Sequence, residues 1–285
     1  MDVPKGELLP AYTPYVKDSG VEYLEILVYG DAGTGFAEQQ AVADEMSAYV
    51  SDAATDVTFI INLGDSFYPD GVDSIDDPLW DLYFEDIYDP GVLTMPFYSI
   101  LGNHDWNGSA AAQLLYESEN SDRWRMPAKY YSFSETLPDA TVVDFFFLDT
   151  VSLLAGDVDQ LLWLDRQLEQ SDARWRIVSG HHPLFSYGSH GFNGLLIALL
   201  QPILDGRADL YLAGHEHDLQ ILGPLNGVWH IVDGSAGTVR STGVGDLTTF
   251  AASRSGFMAL LISHDEIACR VLEAGAGEIY SAVLP

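Results

Sequence analysis

Along the chain, short apolar runs rich in β-branched and aromatic residues alternate with stretches of helical spacing. Runs at 21–29, 57–63 and 95–101 predict strands, with helical patterns at 37–50 and 109–117. Further strands are predicted at 130–133, 142–148, 174–179 and 210–213, with helices at 158–169 and 195–204 among them. From Leu219 onward the pattern is nearly all β, with runs at 228–232, 257–262, 267–273 and 278–283. Alternating β and α followed by a β-rich end predicts an α/β fold of layers with mixed sheets, not an all-parallel one. Residues 1–20, with Pro4, Pro10 and Pro14, read as an irregular N-terminal arm. No Gly/Ser-rich linker divides 21–285, which is expected to be one domain.

Composition narrows the possible partners. With 285 residues, 47% hydrophobic and 12% aromatic, the chain can bury a sizeable core. No apolar run approaches the roughly 18–20 residues that span a bilayer. Asp and Glu number 43 against 12 Lys and Arg, for a net charge of −31. That field repels nucleic acid and anionic membranes, so neither is an expected partner. The acid excess fits ordinary solubility, and equally a saline habitat in which salt screens the self-repulsion. Cys269 is the only cysteine, which excludes an internal disulfide and a cysteine-based zinc site. The opening MDVPK lacks the basic-then-apolar pattern of a secretory signal, so no signal peptide is visible. Either the protein is not exported or such a segment was removed.

One pattern carries the chemistry. A β-rich apolar run ends, a glycine follows, and potential metal ligands appear. It occurs at Gly30-Asp31, Gly64-Asp65, Gly102-Asn103-His104-Asp105, Gly180-His181 and Gly214-His215-Glu216-His217. Open α/β sheets bind ligands beyond the carboxyl ends of their strands, where glycines permit tight turns. Of eight histidines, six fall in or beside these loops; His230 and His264 do not, and are expected to be structural. The Gly30–Gly35 stretch, GDAGTG, is not a nucleotide loop, because no Lys-Ser/Thr follows. A metal site is the reading of the ordered set.

In order, GDAG, GDSFY, GNHD, VSGHH and GHEH resemble the metallophosphoesterase superfamily, and more narrowly its purple acid phosphatases of the small, tartrate-resistant type. The likeness runs from about Val21 to the end and includes GVDSIDDPLWDLYFEDIY and PLFSYGSHG. It implies a four-layer α/β/β/α sandwich of two mixed β-sheets flanked by helices, with 21–285 as a single catalytic domain. Two departures from related patterns stand out. The usual Asp-x-His is absent, since Ala32 and Gly33 follow Asp31, and a phenol, Tyr68, stands three residues after Asp65. That exchange is the hallmark of the purple enzymes, although a tyrosine there is also consistent with a core residue. Where animal members carry a regulatory loop, only about ten residues near 152–160 precede the next helix, and His182 stands where they commonly have tyrosine.

The resemblance implies Asp31, Asp65, Tyr68 and His217 around Fe(III) in one site. It implies Asp65, Asn103, His181 and His215 around Fe(II), Zn(II) or Mn(II) in the other. Carboxylate and phenolate suit the harder ion, and imidazoles with an amide suit the divalent one. These anions leave the pair of ions net positive, so an acidic protein can still hold a phosphate ester. The implied activity is acid hydrolysis of phosphomonoesters, nucleotides and phosphoproteins among them, by a metal-bound hydroxide. The alternative is a phosphodiesterase or nuclease using two divalent ions; a third reading is a noncatalytic metal-binding or interaction protein. His104 is the expected proton donor and His190 the second candidate. Asp105 either orients an imidazole or caps a helix, and Glu216 is expected to point away from the ligands on either side. A monomer is expected, with a secreted, periplasmic or lysosome-like address by resemblance.

Overall fold

A computed structural model describes residues 6–284, the side chains of Ser118 and Glu119 excepted, so Pro4 of the expected arm lies outside the described residues. Two seven-stranded mixed sheets form the centre. In sheet 1, β1 (Leu24–Tyr29) pairs in parallel with β2 (Val57–Asn62), which continues to β3 (Phe97–Ser99) and β4 (Trp124–Arg125). On its other side β1 pairs antiparallel with β12 (Gly256–Ile262), followed by β13 (Ile267–Glu273) and β14 (Gly277–Leu284). The parallel strands of sheet 2 are β6 (Val142–Leu148), β7 (Trp175–Gly180), β8 (Leu210–Ala213) and β10 (Val228–Asp233). Antiparallel β5 (Tyr131–Thr136) closes one edge; β9 (Leu219–Leu225) and β11 (Thr248–Ala252) close the other.

Alternation along sheet 2 sorts side chains into two cores. On β6, Val143, Phe145 and Phe147 enter the core between the sheets. Phe146 and Leu148 face a second core. Val178 on β7 and Tyr211 on β8 join that second core, while Ile177, Leu210 and Leu212 join the first. Burial on both faces explains why these runs read as continuously apolar. Between the sheets, Phe59 of β2 meets Phe145 and Phe133 edge-on at 5.2 and 5.5 Å. The second core lies under α3 (Thr150–Leu154), α4 (Val158–Gln170) and α5 (Gly194–Leu204). On sheet 1, α1 (Ala37–Val50) packs over β12 through Val42 and Met46. α2 (Ala110–Glu119) adjoins β4. The layers are therefore α/β/β/α, as expected.

Several boundaries differ from the sequence reading. The run at 95–101 yields only Phe97–Ser99 as strand, because Pro96 has no N–H for the ladder and Gly102 begins the next loop. Residues 152–160 are not simply a loop: Asp149 caps the short helix α3, its Oδ1 accepting from Val151 and Ser152 N–H at 3.1 Å each. The π-helical turn Asp81–Glu85 and the two-residue β4 carry no periodic signal. Residues 6–20 hold no helix or strand and touch the fold through an isolated bridge, Leu8 to Ala251.

Candidate metal centre

The carboxyl ends of parallel strands from both sheets meet at one edge. Asp31 follows β1, Asp65 and Tyr68 follow β2, and Asn103 and His104 follow β3. His181 and His182 follow β7, and His215 and His217 follow β8. Three of these residues turn the chain sharply in the left-handed region: Asp31, Asp65 and His215 have φ of +57°, +51° and +68°. Such a backbone costs an L-residue roughly 1–2 kcal/mol, and it is found here at the donors themselves. Glycine makes room beside them. A Cβ on Gly214 would stand 2.5 Å from Asp31 Oδ2, and one on Gly102 would collide with the Asp65 carboxylate.

Two donor sets converge. The Tyr68 hydroxyl lies 3.0 Å from both Asp31 Oδ1 and Asp65 Oδ2, and 3.2 Å from His217 Nε2. His181 Nε2 lies 3.4 Å from Asp65 Oδ2, 3.1 Å from Asn103 Oδ1 and 3.3 Å from His215 Nδ1. Asp65 Oδ2 belongs to both sets. The other carboxylate oxygens are fixed by backbone: His215 N–H donates to Asp31 Oδ2 at 2.7 Å and His104 N–H to Asp65 Oδ1 at 2.8 Å. Imidazole orientation is set from behind. His181 Nδ1–H donates to the Leu63 carbonyl at 2.8 Å, so Nε2 faces the site; Thr238 Oγ1 bonds His217 Nδ1 in the same way.

The electrostatics favour a cation. Burial, reinforced by Asp65, pushes the Asp31 carboxyl well above the usual carboxylate range. Burial acts on Asp65 in the same sense, but the charge of His181 outweighs it and holds Asp65 below that range. Against its own burial, His181 is raised to about 10 by Asp65 and Asp31. Burial and the two carboxylates push the Tyr68 phenol strongly up. Two buried carboxylates and a phenol cannot all ionise together without positive charge between them. A multivalent ion supplies it, and these donors fit one. Burial also keeps the other imidazoles neutral, as ligation requires: His215 is pushed down, and His217 falls to about 4. Among the described residues, the groups able to hold an ion by proximity are Asp31, Asp65, His181 and His181, His182, His215, each with ligand atoms within 4.8 Å of one another.

The structure brings all seven expected donors together, and both expected proton donors stand beside them. His104 stacks on Tyr68 with ring centroids 4.4 Å apart, and its Nδ1–H donates to the Pro69 carbonyl at 2.5 Å. His190 packs against His215 with centroids 4.3 Å apart. It borders a cavity of about 250 Å³ lined also by Pro183, His215 and residues 191–194. Neither reading of Asp105 holds: its carboxylate accepts from Ser66 N–H at 3.0 Å and Gly102 N–H at 2.8 Å, bracing two donor loops against each other. His230 lies buried against Phe185, and His264 meets Thr141 far along the chain; neither is among the grouped donors.

The segment 214–218 is not a regular extended strand. His215 is left-handed, and Glu216 and Asp218 N–H each bond the carbonyl two residues back at 2.8 Å. The Glu216 carboxylate nevertheless turns away from the expected metal donors, toward the backbone of 189–191. Sequence reasoning missed His182 as a third imidazole of the second group; its doubled histidine was the available signal. Nothing in the sequence singled out Thr238.

The calcineurin-like phosphoesterase family matches residues 24–219. Human tartrate-resistant acid phosphatase type 5 is 31% identical, covering 95% of this chain and 94% of its own. Purple acid phosphatase 4 of Arabidopsis thaliana is 31% identical over 86% of this chain and 78% of its own. Among solved structures, GAP50, described as the anchor in the inner membrane complex of Plasmodium, superposes with a TM-score of 0.84 at 28% identity, covering 92% of this chain and 89% of its own. A shared scaffold thus accompanies different roles, and the donor set must decide between them. By sequence match, the chain belongs to the calcineurin-like phosphoesterase family, among its tartrate-resistant and purple acid phosphatases.

Proposed function

We propose that this chain hydrolyses phosphate monoesters at a pair of metal ions held between its two sheets. Asp31, Asp65, Tyr68 and His217 would hold a hard trivalent ion, Fe(III). Asp65, Asn103, His181 and His215 would hold Fe(II), Zn(II) or Mn(II). The observation that carries this reading is Asp65 Oδ2, 3.0 Å from the Tyr68 hydroxyl and 3.4 Å from His181 Nε2. One oxygen lies within reach of both an oxygen-rich set and an imidazole-rich set, an arrangement suited to two ions that share a ligand.

The ions these residues would hold would supply acidified water and positive charge against a phosphoryl group. The remaining steps fall to side chains. With Nδ1–H committed to Pro69, His104 presents Nε2 as the nitrogen that protonates the leaving oxygen under acidic conditions. His190 is the second donor, on the His215 side. Substrates are small phosphate esters, with nucleotides and phosphoproteins included in the proposal. The working unit is a monomer with 21–285 as its catalytic domain, supported by the core that β12–β14 complete with β1. Among the described residues no helix is long and apolar enough to cross a membrane. A secreted, periplasmic or lysosome-like address is proposed from the family resemblance alone.

Hydrolysis of p-nitrophenyl phosphate and of bis(p-nitrophenyl) phosphate by the metal-loaded protein tests the reading. The monoester is expected to be turned over faster, at acidic pH. A preference for the diester would assign the chain to the phosphodiesterases, and turnover of neither would leave it without phosphatase function.

A further inference from the structure

Glu216 stands between His215 and His217 in sequence, yet its side chain serves a different loop. The carboxylate is buried and accepts N–H from Ser189 at 2.8 Å, His190 at 2.6 Å and Gly191 at 3.0 Å, and the Ser189 hydroxyl at 3.1 Å. Its Oε2 also lies 3.3 Å from His190 Nδ1. Space for it is reserved: a Cβ on Gly188 would stand 2.6 Å from Oε2. Gln220, four residues on, makes a second tie by accepting Tyr187 N–H and donating to Ser186 Oγ, both at 2.9 Å. The His190 side chain itself is 45% exposed, so contacts with bulk protein do little to fix it.

We propose that Glu216 is a positioning residue for His190. Three backbone N–H groups converging on one buried carboxylate hold the 189–191 backbone by charge-assisted hydrogen bonds. Nδ1 of His190 turned to Glu216 leaves Nε2 on the far side of the ring, away from the carboxylate. The ring is thereby set against His215, over the cavity where the ester's leaving group would lie. The same short peptide thus supplies His215 and His217 to the ions and, through Glu216, places the imidazole that faces the substrate. This inference rests on the phosphatase reading for its catalytic consequence, but not for the clamp itself.

The test compares Glu216→Gln, His190→Ala and the double variant in the metal-loaded enzyme, with amide hydrogen exchange followed in parallel. Glu216→Gln is expected to keep both metals and to lower kcat by roughly 10–100-fold, the scale for supporting groups at metal sites, with KM little changed. On the His190→Ala background the same change is expected to add almost nothing, since the two act as a unit. Amides 189–191 should exchange faster in Glu216→Gln. Should that variant fold poorly, Gly188→Ala, which crowds the same carboxylate, is expected to give the same non-additive loss. Unchanged kcat, or a loss repeated in full on the His190→Ala background, overturns the proposal. A wild-type protein that hydrolyses no phosphate ester would sink the phosphatase reading instead. The clamp would then stand or fall on exchange: unaltered protection at 189–191 in Glu216→Gln refutes it.

Discussion

The two sheet edges that meet at the site differ in what they bring. Loops of sheet 1 supply the oxygen donors, Asp31, Asp65, Tyr68 and Asn103; loops of sheet 2 supply the imidazoles, His181, His215 and His217. The oxygen side is the harder one to fold. It buries two carboxylates against a phenol 3.0 Å from each and holds both aspartates at positive φ. On the imidazole side burial keeps His217 and His215 neutral, while His181, raised by Asp65 and Asp31, answers the charge of the oxygen side. Neither edge makes a complete site alone. The proposed ions therefore both balance the charge of one sheet and fasten it to the other.

The largest expected effect follows from the one residue that serves both donor sets. Asp65→Ala should lose both ions and bring activity to background, whereas His217→Ala should lose only the ion beside Tyr68; elemental analysis of the two purified variants distinguishes them. Retention of one ion by Asp65→Ala would break the picture of a shared carboxylate. His104→Ala comes next: metals retained, and turnover lowered by roughly 10²-fold or more, the usual scale for general acid catalysis. A variant matching wild type across acidic pH would mean that the oxygen-rich edge provides no proton.

Smaller effects bear on stability. His181 is raised from 6.5 to about 10 in the metal-free protein, and Asp31 is raised as well, so the folded protein keeps protons that the unfolded chain releases. Stability of the metal-free form should accordingly fall as pH rises from about 7 toward 10. In the loaded protein ions replace those protons, and thermal melts over that range should show the decline much reduced. Each ion should raise stability by about 2.7 kcal/mol at a free concentration 100 times its own Kd. Phe145→Ala, between the sheets, should cost about 3–5 kcal/mol while leaving the donor set intact, read as a lower urea midpoint with unchanged metal content.

Much of this site is legible in sequence because each donor follows a glycine at the end of an apolar run, and strand ends are where an α/β sheet gathers ligands. Layer order is legible for a similar reason: helical and extended periods alternate until Leu219 and then give way to β. What is hidden depends on contacts distant in sequence. The antiparallel pairing of β1 with β12, more than 200 residues later, has no local signal. Glu216 could be seen to face away from the ligands, but its partners, Ser189 to Gly191, come from a loop whose approach only the fold determines. Asp105 resembled a cap, yet it is the first residue of a helical turn and its bonds run to Ser66 and Gly102.

Whether two unlike ions sit between the sheets is read from metal content measured together with the visible spectrum. Two ions per chain, one of them iron, and a violet or pink colour that Tyr68→Phe abolishes are expected. A single ion per chain, or a colour that survives in Tyr68→Phe, would contradict that expectation.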